Sequence, residues 1–149
     1  MLQELTVGGS YFDAGYQIGV FGKKEIKRIL RKRGEKITLG LKNKAGVLKD
    51  VQLMLNKEAP NQMALLQGIA TGAEVDFNEL FAKNCPEIIE TGSGCTTITI
   101  KNKNDFFIVH NEEDYDWLTE KSYCLTHYRI NNGFRFSAFN MLGDLPNAF

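Results

Sequence analysis

A single change of hydrophobic period limits this fold more than any other feature. Up to about residue 90, apolar residues recur at the three- and four-residue spacing of a helix. From Cys95 onward they alternate, which is the period of a strand. Helices first and strands second predict an α+β chain, with helices packed on one face of antiparallel hairpins. The chain has 149 residues, enough for one domain with a core.

The elements can be placed by their caps. Leu2 to Val7 reads as a short opening strand, ended by Gly8 and Gly9. Ser10 is placed as the N-cap of the next helix, with Asp13 as capping-box partner. That helix is expected to turn Tyr16, Gly19, Ile26 and Leu30 toward the core. Gly15, Gly19 and Gly22 each weaken it by roughly 1 kcal/mol relative to Ala, which predicts that another backbone packs closely there. "AGVLKDVQLMLNKEA" gives a second helix, with Val47, Val51, Met54 and Leu55 on one side. Pro60 opens a third that carries Met63, Leu66, Ile69 and Ala70 and is closed by Gly72. Asp76 caps a short helix through about Asn84, and Pro86 ends it. Beyond Cys95, "KNKND" is a turn and "FFIVH" a returning strand, while "SYCLTHYRI", "NNG" and "FRFSAFN" form a second hairpin.

Charge excludes some functions. Lys+Arg and Asp+Glu number 18 each, so nothing pulls the whole chain toward nucleic acid or an anionic membrane. The run "KKEIKRILRKR" places Lys23, Lys27 and Arg31, and likewise Lys24, Arg28 and Lys32, at i, i+4 spacing. With no aromatic residues interleaved, it reads as a solvated helix face with Ile26, Ile29 and Leu30 turned inward, not as a nucleic-acid surface. No apolar window reaches the length of a membrane span, and the first residues lack the pattern of a signal peptide, so a cytoplasmic location is expected. Three cysteines without a CxxC spacing fit a reducing compartment. Two scattered histidines give no zinc site, so no metal is expected.

The chemistry centres on "GSGCTTITIK", residues 92–101. A cysteine beside a strand is usually a small buried hydrophobe. Here the preceding glycines leave the Gly94 carbonyl open to attack, and Thr96 and Thr97 place hydroxyls next to the sulfur. The returning strand brings "HNEED", with Asn111, Glu113 and Asp114, alongside Cys95. Two mechanisms fit. In one, His110 or His127 deprotonates the thiol in a papain-like arrangement. In the other, the chain is cut between Gly94 and Cys95, and the freed α-amino group of Cys95, with a reference pKa near ~8, acts as base. Only the second explains a cysteine that heads a strand directly after Gly-Ser-Gly.

Five segments, in order, resemble the acyl-coenzyme A:6-aminopenicillanic acid (isopenicillin N) acyltransferase family of N-terminal nucleophile (Ntn) hydrolases. They are "YFDAGYQIG", "LLQGIATGAEVDFNELFAKNC", "GCTT", "HNEED" and "GDLPNAF". The resemblance implies an αββα sandwich made as an inactive precursor. It divides the chain into a helical segment, 1–94, and the start of a strand-rich segment, 95–149, of one partial domain. It makes Cys95 the nucleophile, Gly94–Cys95 the cleavage site, Asn111 with Glu113 or Asp114 the orienting or binding groups, and Thr96 and Thr97 residues of the site. Family members continue well beyond the point matching Phe149, so the chain reads as truncated at its C-terminus.

The expected function is therefore amide hydrolysis or acyl transfer through a thioester on Cys95. No cofactor is needed: an amide or acyl-coenzyme A would be the small-molecule substrate. An uncovered sheet or helix face would favour self-association. The rival reading is a truncated, non-catalytic homologue that serves as a binding module.

Overall fold

The start of the first helix follows from two residues. The Ser10 hydroxyl accepts from the Asp13 amide at 3.1 Å, and the Asp13 carboxylate accepts from the Ser10 amide at 2.9 Å. This capping box opens a helix of 33 residues. The computed structural model describes residues 3–89, 95–102, 106–112 and 115–146. In chain order the elements are β1 (Gln3–Gly9), α1 (Tyr11–Asn43), α2 (Ala45–Glu58), α3 (Pro60–Ala73), α4 (Phe77–Lys83), α5 (Pro86–Ile89), β2 (Cys95–Lys101), β3 (Phe106–Glu112), a short 3-10 turn (Glu120–Ser122), β4 (Tyr123–Ile130) and β5 (Arg135–Met141). The chain is thus a mixed α+β protein.

Both expected hairpins form, β2 with β3 and β4 with β5, each antiparallel. The opening strand adds a pairing that its own sequence does not specify. β1 runs parallel to β4, giving a sheet of order β1-β4-β5. One strand from before Cys95 and two from after it therefore share one sheet. On its inner face, Val7, Cys124, Tyr128 and Ala138 join the core that α1, α3 and α4 supply through Ile18, Leu66, Ile69 and Leu80.

The close approach predicted from the glycines is an interlock of α1 with α3. Gly15 and Gly19 face the carbonyls of Leu65 and Ile69, and Gly68 and Gly72 face those of Phe12 and Tyr16. A side chain at any of the four would overlap backbone of the facing helix. Gly22 differs, since its neighbour is the Leu142 side chain.

Several local expectations need correction. Tyr16 is 45% exposed, because this turn of α1 offers α3 a carbonyl and not a side chain. Gly72 is needed inside α3, which ends instead on Glu74 in a left-handed conformation with φ 54°. Pro86 does end α4, but it also opens α5. Of the expected apolar side of α2, Val51 and Leu55 pack half-buried against the core while Val47 and Met54 are exposed, and the buried residue of this helix is Leu48.

The basic run is more than a solvated face. Ile26, Ile29 and Leu30 are buried as expected, but so is Arg33. Tyr115 and Trp117 stack with ring centroids 5.2 Å apart. Arg28 lies 5.2 Å from the Trp117 ring, while Arg33 and Lys36 lie 5.6 and 5.2 Å from the Tyr115 ring. The aromatic partners absent from the local sequence arrive from the other half of the chain.

Candidate functional site

Cys95 is the first residue of β2. The register sets Cys95 opposite Glu112, Thr96 opposite Asn111 and Thr97 opposite His110. The hairpin thus brings the backbone of the expected nucleophile beside that of the polar segment. Gly94, Glu113 and Asp114 lie outside the described residues.

Two fastenings flank this region in sequence. The first follows the acidic segment. Arg28 donates to Glu25 at 2.6 and 2.9 Å and to the Trp117 carbonyl at 3.3 Å, and the Ser122 hydroxyl donates to Glu25 at 2.6 Å. The Arg28 guanidinium holds the Glu25 carboxyl below the usual carboxylate range. With the cation–π contacts, this network secures residues 115–122 against α1. The second fastening joins the end of α4 to the "GDLP" segment. The buried Lys83 ammonium pairs with Asp144, the Asn84 amide donates to the Gly143 carbonyl at 2.9 Å, and the Leu145 amide donates back to Asn84 at 2.9 Å. Sequence reading missed this latch. Nothing in the spacing links Lys83 to Asp144, and a lysine ending a helix ordinarily reads as a solvated charge.

The two other cysteines are poor nucleophiles. Cys85 and Cys124 are buried, and burial pushes the Cys85 thiol up to about 11 and raises Cys124 as well. His127, one candidate base, has both ring nitrogens engaged: Nδ1 with Ser137 at 2.6 Å and Nε2 with Glu4 at 2.8 Å.

Among the described residues, no three His, Cys, Asp or Glu side chains are grouped to hold a metal ion. No described helix is long and apolar enough to cross a membrane. A groove of about 510 Å³ lies between α1 and the α3–α4 junction, with Lys27 and Arg31 facing Glu74, Asp76 and Glu79. Lys23 and Lys27 pair with Glu74 at 2.5 and 3.7 Å, and the Asp76 carboxylate accepts from the amides of Asn78 and Glu79 at 2.8 and 3.0 Å.

No family model matches this α+β chain. It is similar to the beta-alanyl-dopamine/carcinine hydrolase of Drosophila melanogaster, with 31% identity over 100 residues. The match takes in 60% of this chain, and the chain spans 23% of that hydrolase.

Proposed function

We propose that this segment belongs to an amide hydrolase or N-acyltransferase that matures by cutting itself before Cys95. The carrying observation is the placement of Cys95 as the first residue of β2, with Thr96 and Thr97 opposite Asn111 and His110. The similarity to a hydrolase supports the reaction class, since a β-alanyl group on the amine of dopamine is an amide.

In maturation the Cys95 sulfur attacks the Gly94 carbonyl, and the Gly94–Cys95 amide becomes a thioester. That shift breaks the C–N bond and frees the Cys95 α-amino group; water then cleaves the thioester, releasing the carboxylate of Gly94 and restoring the thiol. In turnover the thiol attacks the substrate carbonyl while that amino group takes the thiol proton and passes it to the leaving amine. Water or an acceptor amine then discharges the acyl-cysteine. Asn111 with Glu113 or Asp114 orients the nucleophile or binds the polar end of the substrate. β1 and β4 lie on opposite sides of the cut yet pair along seven residues, Gln3 to Gly9, so the two pieces would stay together in one sheet.

Intact mass spectrometry and amine release test the reading in a full-length homologue that carries this segment. The parent should give a cut at Gly94–Cys95 and release amine from β-alanyl amides. Cys95→Ala should give one uncut, inactive chain, and Cys95→Ser a slowly cut one. The 149-residue chain by itself is expected to stay intact. Cleavage of Cys95→Ala at the parental rate would refute the mechanism.

A further inference from the structure

The end of α4 is held by polar contacts that apolar packing alone does not require. The Lys83 side chain is 1% exposed, and its ammonium pairs with Asp144, from the segment that follows β5. Beside it the Asn84 side chain donates to the Gly143 carbonyl and accepts from the Leu145 amide, both at 2.9 Å. Two further groups fix the partners. Arg33 of α1 donates to the Lys83 carbonyl at 3.4 Å, and Asn140 of β5 donates to the Asp144 carbonyl at 3.4 Å. α1, α4 and β5 thus meet at one directional junction. A buried ion pair adds little net stability, because the cost of desolvating both charges offsets their attraction, and an apolar pair of similar volume often serves as well or better. What such a pair can supply is a single placement, since charges and hydrogen bonds fix distance and angle where apolar surfaces can slide.

The junction lies upstream of the bond to be cut. Cys85 joins α4 to α5, and Ile89 at the end of α5 packs on Gly40 of α1, where any side chain would overlap it. Gly94 follows Ile89 by five residues, so the chain keeps it within about 18 Å of that anchor. On the other side of the bond, Cys95 is placed by the pairing of β2 with β3. Lys83 and Asp144, 61 residues apart, close a loop that contains Gly94–Cys95. The arm before the bond and the strand after it are therefore held by separate contacts. The approach of the sulfur to the Gly94 carbonyl depends on both.

We propose that Lys83, Asn84 and Asp144 are positioning residues for self-cleavage. The proposal rests on the reading of Cys95 as the nucleophile. The three residues act through the α4–α5 arm and exchange no proton with the reacting groups. The bonds that change are those of the shift itself: the Cys95 sulfur bonds to the Gly94 carbonyl carbon, the C–N bond breaks, and the thiol proton ends on the released amine. After the cut the arm ends in a free carboxylate, and turnover of an external amide no longer depends on where the junction holds it.

The test uses the full-length homologue that carries this segment. Time-resolved intact mass gives the rate of cutting, thermal unfolding gives Tm, and amine release from a β-alanyl amide per cut molecule gives turnover. Lys83→Met combined with Asp144→Leu replaces the ion pair by apolar side chains. It should keep or raise Tm, yet slow cutting about 10-fold or more, because misplacing a reacting group by about 1 Å can cost 10²-fold. Turnover per cut molecule should match the parent. Asn84→Ala leaves no charge unpaired and should slow cutting in the same way, so it decides the matter if the double variant does not fold. Cutting at the parental rate, or slowing only in step with a lowered Tm, would overturn the proposal. So would turnover that falls as far as cutting does, since that marks a general distortion. A parent that stays uncut, or a Cys95→Ala chain cut at the parental rate, would instead overturn the Cys95 reading, so the two failures are told apart.

Discussion

Gly19→Ala should destabilise the protein even though Ala is the better helix former. In an exposed helix the change gains about 1 kcal/mol. At Gly19 the new Cβ would overlap the Ile69 carbonyl oxygen and sit 2.7 Å from the Ala73 nitrogen and 3.0 Å from the Gly72 carbonyl carbon. All three are backbone atoms of α3, so no rotamer change relieves the overlap and the two helices must separate. That places the cost at or above the top of the usual overpacking range of about 1–3 kcal/mol. Less the propensity gain, the net loss is about 2 kcal/mol, or a Tm lowered by about 4–8 °C for a chain of this size. Gly34 is the control. It lies in the same helix with nothing within 4 Å of a built Cβ. Gly34→Ala should therefore raise stability by up to about 1 kcal/mol and Tm by about 2–4 °C. Thermal and urea unfolding followed by circular dichroism would read both variants. If Gly34→Ala stabilises as stated and Gly19→Ala does so equally, the helices are not interlocked at these glycines.

Asp144→Ala leaves the Lys83 ammonium buried without its carboxylate and should cost about 3–5 kcal/mol in urea unfolding; a loss under 1 kcal/mol would mean that the latch opens readily to water. Glu25→Gln should remove a part of the acid sensitivity. The Glu25 carboxyl is held low in the folded state, so its stabilisation is present above its ordinary value of 4.5 and is lost as pH falls through the lowered one; equal acid unfolding curves for parent and variant would contradict this. The Cys85 thiol, raised from 9.0 to about 11, has the opposite sign: its contribution is complete below 9.0 and declines as pH rises toward 11. Iodoacetamide at neutral pH should accordingly modify Cys95 before Cys85 or Cys124. Peptide mapping that finds Cys85 first would remove Cys95 from its role.

Local chemistry was legible in the sequence. Ser10 with Asp13, and Asp76 with the amides of Asn78 and Glu79, are caps made within one turn, so residue spacing alone identifies them. The period switch at Cys95 likewise placed β2 to β5, because side-chain alternation is a property of a single strand. The glycines of α1 announced a close backbone but could not name α3 as its source. Tertiary structure decided the rest. The parallel pairing of β1 with β4, the aromatic clamp on the basic face of α1, the Lys83–Asp144 latch and the Glu4–His127 hydrogen bond each join residues far apart in sequence. None leaves a periodic trace, since each depends on a cross-strand or cross-helix distance that exists only after the core has closed. The same limit governs the site. Sequence marks Cys95 as unusual through the residues beside it, but the partners facing it are set by hairpin register, which is fixed only when the strands pair.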